Sequence, residues 1–317
     1  MENPKILYFV IPCYNEEEVL NITAEILKKK IENLLEKNKI SKKSRILFVN
    51  DGSKDKTWSI IEELCNKNSV FQGIKLSRNE GHQNAVLAGL MTAKEYCDMA
   101  ISLDADLQDD INVVDQFVEE HYNGNDIVYG VRSKRETDTF FKRFSAESFY
   151  KLLKVFGVEI VYNHADYRLM SKRALEGLAQ FKEVNLFLRG IVPLIGYPSS
   201  VVTYERHERF AGESKYPLKK MLALAFDGIT SFSIKPIRMI SFIGVISFLV
   251  SIGILIYSLI ANYLGNTITG WTSLACSIWA LGGIQLLAIG IIGEYIGKIY
   301  NETKERPKYF IEAFIKQ

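Results

Sequence analysis

The chain has 317 residues, with 39 Lys and Arg against 37 Asp and Glu and a formal net charge of +2, a balance that excludes the bulk electrostatic attraction on which nucleic-acid binding rests. Cys13, Cys65, Cys97 and Cys276 are scattered, with no C-x-x-C pair and no histidine at metal spacing, so neither a zinc site nor a disulfide framework is expected, and reduced thiols fit a cytosolic domain. The length leaves room for one soluble domain of ordinary size with a core that stands alone.

Met1-Glu2-Asn3-Pro4 has no basic n-region, and the apolar run Ile6 to Ile11 is too short for a signal-peptide core; no cleaved targeting segment is expected. Short apolar runs then alternate with helical patterns. Ile6 to Ile11, Ile46 to Asn50, Gly73 to Leu76, Ala100 to Leu103 and Ile127 to Tyr129 read as strands. Glu17 to Glu36, Thr57 to Asn66, Asn84 to Tyr96 and Val113 to Tyr122 read as amphipathic helices between them. That order predicts βαβ units in an α/β, Rossmann-like, mostly parallel sheet, where ligands bind beyond the carboxyl ends of the strands. Asn15 and Glu16 follow the first strand, Asp51 the second, Arg78 the third, and Asp104 and Asp106 the fourth.

Asp104-Ala105-Asp106 places two carboxylates at i and i+2 where a buried strand ends. In an extended segment they project to one side and can hold Mg2+ or Mn2+ while the metal keeps positions for a diphosphate. Such a pair alone is a weak signal; Gln108 after it and its place at a strand end strengthen it. Asn50-Asp51-Gly52-Ser53 by itself is an ordinary turn sequence. No G-x-G-x-x-G follows the first strand, which disfavours a dinucleotide dehydrogenase.

Basic residues cluster at Arg132, Lys134, Arg135, Lys142, Arg143, Lys151 and Lys154, and again at Lys215, Lys219 and Lys220. Such clusters suit an anionic membrane surface or a phosphorylated substrate. Phe140 to Phe156 reads as an amphipathic helix that either lies in a membrane interface or packs on the sheet, and Leu218 to Phe226 is a second candidate. Between Met239 and Gly293 no residue is charged. Two apolar runs, Met239 to Ala261 and Trp271 to Gly293, flank the polar turn Asn262 to Gly270. About 23 residues at about 1.5 Å rise each give roughly 34 Å, enough for a hydrocarbon core of about 30 Å, so a two-helix transmembrane hairpin is expected. Lys235 and Arg238 precede it and Lys298, Lys304, Arg306 and Lys308 follow it, while the connecting turn has no Lys or Arg; both termini and the large N-terminal domain are therefore expected in the cytoplasm. The expected division is a catalytic domain over 1–215, a juxtamembrane segment over 216–238, the hairpin over 239–293 and a cytosolic tail over 294–317. A soluble catalytic domain tied to a bilayer in this way suggests that one substrate is a lipid.

Taken together, Pro12-Cys13-Tyr14-Asn15-Glu16, Asn50-Asp51-Gly52-Ser53, Ser77-Arg78-Asn79-Glu80-Gly81-His82-Gln83, Asp104-Ala105-Asp106, Ala165-Asp166-Tyr167-Arg168-Leu169 and Glu208-Arg209-Phe210-Ala211-Gly212-Glu213-Ser214-Lys215-Tyr216 resemble the family-2, GT-A-type glycosyltransferases. With the two spans and Gly293-Glu294-Tyr295-Ile296-Gly297-Lys298, nearly the whole chain is similar to bacterial polyprenyl-phosphate glycosyltransferases of the bactoprenol glucosyltransferase type, related to dolichol-phosphate mannose synthases.

The resemblance implies roles by position. Pro12, Tyr14, Glu16 and Asp51, with Asp104, would bind the nucleotide sugar; Asp104, Asp106 and Gln108 would hold the metal. Arg132, Arg143, Arg206, Arg209 and Lys215 would bind lipid phosphate or diphosphate, for which guanidinium forks are suited. Asp106 and Asp166 are the catalytic candidates, and Asp166 is open to two readings, a base or orienting group on the one hand and a structural partner of Arg168 on the other. His82, His164 and His207 are read as hydrogen-bonding residues and not as metal ligands. The implied reaction is inverting transfer of a hexose, glucose from UDP-glucose by resemblance, to undecaprenyl phosphate at the bacterial inner membrane, with self-association left open and no nucleic-acid partner. The alternatives are mannose transfer from GDP-mannose and a non-enzymatic membrane scaffold or flippase subunit. A processive polysaccharide synthase is disfavoured because Trp58, Trp271 and Trp279 stand in no Gln-x-x-Arg-Trp motif and two spans leave little material for a polymer channel.

Overall fold

The computed structural model describes residues 4–106, 108–132, 164–184, 187–205, 235–264 and 270–316. Strand β1 (Leu7–Cys13) is buried at every position, as a central strand covered on both faces must be, and its near-continuous apolar sequence follows from that. It pairs in parallel with β2 (Arg45–Asn50) on one side and β4 (Met99–Ser102) on the other, and β2 pairs in parallel with β3 (Phe71–Leu76). These four strands are the doubly wound core that the alternating pattern predicts. Helix α1 (Leu20–Glu36) buries Leu20, Ala24, Leu27, Ile31 and Leu34, one stripe at helical spacing.

Helix α2 (Thr57–Lys67) packs so closely on β3 that a Cβ on Gly73 would lie 2.5 Å from the Ile61 side chain. Helix α3 (His82–Ala93) approaches as closely through Gly89, whose added Cβ would meet Val10 at 2.3 Å and Val49 at 2.8 Å. After β4 come a short 3-10 turn (Ile111–Val113), α4 (Val114–Tyr122) and β5 (Ile127–Arg132).

Three further strands, β6 (His164–Ser171), β7 (Ser199–Tyr204) and β8 (Ile311–Ile315), complete a sheet of order β7-β5-β6-β4-β1-β2-β3-β8. Strand β6 (His164–Ser171) runs antiparallel to both β4 and β5, and β7 (Ser199–Tyr204) is parallel to β5. The sheet is thus mixed at its flanks. Alternation along β6 divides its residues: Tyr167 packs on Phe117, with ring centroids 4.7 Å apart, whereas Asp166 and Arg168 share the other face. Helix α5 (Lys172–Leu178) follows, capped by Ser171 Oγ accepting from Ala174 N. Helix α6 (Leu188–Leu194) begins with its Leu188 N donating to Gln83 Oε1 at 2.8 Å.

Strand β8 (Ile311–Ile315) lies antiparallel to β3, tied by a Lys75–Glu312 ion pair of 2.8 Å. Residues 305–317 group with the α/β unit, and the pairing of β8 satisfies the backbone donors and acceptors along the edge of β3.

A second compact unit contains α7 (Lys235–Tyr263) and α8 (Trp271–Thr303). Both arise where the sequence places its apolar runs, and α8 continues a further ten residues past Gly293 to Thr303. Phe242, Leu249, Tyr257, Leu274, Leu286 and Ile289 are all exposed. Among the described residues one stretch, Leu281–Thr303, is both long and apolar enough to cross a membrane. The amphipathic segments Phe140 to Phe156 and Leu218 to Phe226 lie outside the described residues.

Candidate functional site

The loops after β1 and β2 are stitched together by side chains. Asn15, in the left-handed region at φ 55°, donates its backbone N–H to Ser53 Oγ at 3.0 Å, and its Oδ1 accepts from Lys54 N at 2.9 Å; Glu16 N donates to Thr57 Oγ1 at 2.9 Å. This fixes the rim on which Tyr14 stands, 44 % exposed, while Pro12 is buried within β1 opposite Val49.

Asp51, at the end of β2, is 3 % exposed. Its Oδ1 accepts from Glu80 N at 2.7 Å and its Oδ2 from Gly81 N at 3.0 Å, while Asn79 Nδ2 donates to the Asp51 carbonyl at 3.2 Å. Burial raises its pKa, partly offset by those two amides. Gly52 follows at φ +62°, where an added Cβ would lie 2.4 Å from Asn79 N. Only glycine lets the backbone pass so close in that conformation. The Asp51-Gly52 pair therefore clasps the Arg78 to Gly81 turn and sets the start of α3.

Asp104 follows β4 and is half-exposed, with Oδ1 3.6 Å from His82 Nε2. Enclosure by the protein pushes its pKa up to about 6; His82 opposes the rise, and the carboxylates of Asp166, Asp109 and Asp106 add to it. A cation would relieve that repulsion. Asp106 accepts from Gln108 N at 3.2 Å, so the turn itself aims its carboxylate, and Gln108 is buried at 7 % exposure. Among the described residues no three His, Cys, Asp or Glu side chains form a complete metal cage. Two carboxylates with open positions left for phosphate oxygens and water are the arrangement that suits Mg2+ shared with a diphosphate, and Asp104 and Asp106 fit that use.

Asp166, from β6, is held by two arginines. Arg168 Nη2 donates to Oδ1 at 2.8 Å, and Arg189 forks onto both oxygens, Nε to Oδ1 at 3.2 Å and Nη2 to Oδ2 at 3.0 Å. His82 Nε2 stands 3.7 Å from Oδ2, so the imidazole lies between Asp166 and Asp104. Burial works against charge on Asp166, but Arg189, His82 and Arg168 outweigh it and hold the carboxyl well below the usual carboxylate range. Burial likewise opposes charge on His82, and Asp166 with Asp104 turns the balance, raising its pKa. Asp166 is thus paired with Arg168, and the fork from Arg189 adds a second guanidinium to it.

Arg132, at the end of β5, is oriented by Asp109 Oδ1 at 3.3 Å and Tyr204 Oη at 3.4 Å, and Tyr204 in turn donates to Asp109 Oδ1 at 2.5 Å. Arg143, Arg206, Arg209 and Lys215 lie outside the described residues, as does His207. Arg189, Asp109 and Tyr204 are additional to the residues the sequence singles out. Asp109 directly follows Gln108, a local cue, whereas Arg189 has no motif around it.

Residues 8–178 match the family described as glycosyl transferase family 2. An uncharacterised glycosyltransferase of Bacillus subtilis, YkoT, is 53 % identical over 98 % of this chain and 92 % of its own length. The bactoprenol glucosyl transferase of Shigella phage SfV is 42 % identical over 96 % of this chain and 97 % of its own, and a prophage bactoprenol glucosyl transferase homolog of Escherichia coli is 40 % identical with the same coverage. The chain belongs to glycosyl transferase family 2, and its mixed α/β sheet has the GT-A-like architecture.

Proposed function

We propose that this family-2 glycosyltransferase transfers glucose from UDP-glucose to undecaprenyl phosphate with inversion, giving a polyprenyl-phosphate-linked sugar. The observation that carries the reading is the full-length likeness to bactoprenol glucosyl transferases, joined to a carboxylate pair and an arginine-bound carboxylate at one end of the sheet.

In the proposed reaction an acceptor phosphate oxygen attacks the anomeric carbon as the bond from that carbon to the diphosphate oxygen breaks, and the nucleoside diphosphate departs with the bonding pair. The attacking oxygen is already anionic near neutral pH, so it needs positioning and charge compensation more than a base. Asp104 and Asp106 would hold Mg2+ or Mn2+, which supplies charge compensation to the departing diphosphate. Tyr14 and Glu16 on the stitched rim border the nucleoside region, and Asp51 and Pro12 support it from beneath. Asp166 would serve through its pairs with Arg168 and Arg189, whose guanidinium groups it fixes. Arg132, set by Asp109 and Tyr204, serves a phosphate oxygen, with Arg143, Arg206, Arg209 and Lys215 assigned to the same task by resemblance.

The long apolar sequences of α7 and α8 and their exposed side chains, among them Phe242, Leu249, Leu274 and Leu286, support two spans, since exposed apolar helix surface requires an apolar solvent. The flanking cations support a bacterial inner-membrane location with the catalytic domain and both termini on the cytoplasmic side. The test is purified protein supplied with undecaprenyl phosphate and a panel of nucleotide sugars. UDP-glucose should yield a glucosyl lipid and UDP in equal amounts. Turnover with GDP-mannose alone would favour the mannose-transfer reading, and no turnover with any donor would favour a scaffold.

A further inference from the structure

Two guanidinium groups bond to one carboxylate in the site. Arg168 and Arg189 both reach Asp166, so this trio carries one surplus positive charge with His82 neutral. The two arginines are not equivalent. Arg168 is 2 % exposed and its Nη1 points to the Leu188 carbonyl at 3.4 Å, whereas the Arg189 side chain is 35 % exposed. Arg168 is the internal half of the pair and Arg189 the half that solvent reaches.

The surroundings hold this arrangement rigidly. Ser102 Oγ donates to the Asp166 carbonyl at 2.7 Å, which fastens β6 to β4, and Gln83 receives Leu188 N, which fastens the residue before Arg189 to α3. A partly exposed ion pair contributes little to folding, so stability alone does not explain a two-pronged grip of this kind. Its effect is to fix the plane of a guanidinium before any ligand arrives. His82 then links the group to the candidate metal carboxylate, 3.7 Å from Asp166 and 3.6 Å from Asp104. A cationic fork, oriented in advance and one imidazole away from where a diphosphate would be held, is suited to phosphate oxygens.

We propose that Arg189 is a phosphate-binding residue of the reacting centre, with Asp166 as the positioning residue that sets its guanidinium. The ligand class is a phosphoryl oxygen, either of the acceptor monoester or of the donor diphosphate. The assignment rests on the transfer reaction proposed above.

The experiment compares wild type, Arg189→Gln and Arg189→Lys in thermal melts, in KM for undecaprenyl phosphate and for UDP-glucose, and in affinity for UDP without lipid. Arg189→Gln should raise the KM of one phosphorylated substrate by about tenfold, and Arg189→Lys by less, because charge remains while the fork is lost. A rise confined to undecaprenyl phosphate identifies the acceptor; a rise for UDP-glucose with weakened UDP binding identifies the diphosphate. A folded Arg189→Gln protein with both KM values and UDP affinity unchanged overturns the proposal. If the Gln variant does not fold, Arg189→Lys decides, and unchanged constants there overturn it equally. Should wild type fail to glycosylate undecaprenyl phosphate at all, the transfer reading falls separately. Arg189 is then judged by thermal stabilisation with UDP or inorganic phosphate: present in wild type and lost in Arg189→Lys upholds the role, equal in both overturns it.

Discussion

His82 Nε2 lies 3.6 Å from Asp104 Oδ1, which puts an imidazole against one of the two carboxylates assigned to the metal. Burial, with the neighbouring carboxylates, still leaves Asp104 with a pKa of about 6, above its ordinary value of 3.8. A carboxyl must lose its proton to ligate a cation, so Mn2+ affinity should fall as pH drops through about 6, by roughly tenfold per unit for one linked proton. For folding without metal the sign is opposite: the folded state takes up the proton first, and this group's contribution to stability declines as pH rises from about 4 to about 6. Calorimetric Mn2+ titrations at several pH values check the slope. Asp104→Asn should abolish it and Asp106→Asn should weaken binding; Mn2+ affinity unchanged in both variants would remove the metal assignment.

Gly52→Ala should lower stability by about 1–3 kcal/mol or more, since the left-handed backbone is strained for alanine and the new methyl meets the Asn79 backbone. For a domain of this size that is a fall in Tm of roughly 2–12 °C. UDP-glucose turnover should decline with it, because the same contact sets the turn leading into α3. An unaltered melting curve would show that the Asp51 clasp does not organise that turn.

Asp166→Asn should destabilise the fold strongly, by about 3–5 kcal/mol, because it leaves Arg168 buried without its counter-charge. The native carboxyl is held below its ordinary pKa, so its stabilising contribution is complete above that ordinary value and is lost as pH falls through the depressed one. The gap between the melting curves of wild type and variant should therefore hold from pH 7 down to about pH 4 and begin to narrow only below it. A variant as stable as wild type at pH 7 whose activity recovers at high pH would point to a base instead.

The parallel core was legible because buried strands are nearly continuous apolar runs: Ile46 to Asn50 was expected and Arg45–Asn50 is found. Strand β6 escaped that signal because one of its faces carries Asp166 and Arg168 toward the site, and β8 because five residues after a long apolar helix have no pattern of their own. Motif residues near one another in sequence, Asp104 with Asp106 and Asp51 with Gly52, could be read directly. Partnerships across the fold could not: Arg189 is 23 residues from Asp166, and Tyr204 is 95 from Asp109. Nothing local to either arginine or tyrosine records the strand order that brings them together.

Topology is checked by single cysteines in a background lacking the native thiols. Asn262→Cys should react with an impermeant maleimide added to intact cells, and Arg306→Cys should react only after permeabilisation. The reverse pattern would place the catalytic domain outside the cytoplasm, and labelling of both in intact cells would rule out a hairpin of two spans.

The most direct measurement is the anomeric configuration of the lipid-linked product, read by NMR from enzyme supplied with UDP-α-glucose and undecaprenyl phosphate. Single displacement by the acceptor phosphate gives a β-linked glucosyl phosphate lipid with release of UDP. An α-linked product, or glucose released to water with none attached to lipid, would contradict direct inverting transfer to a polyprenyl phosphate.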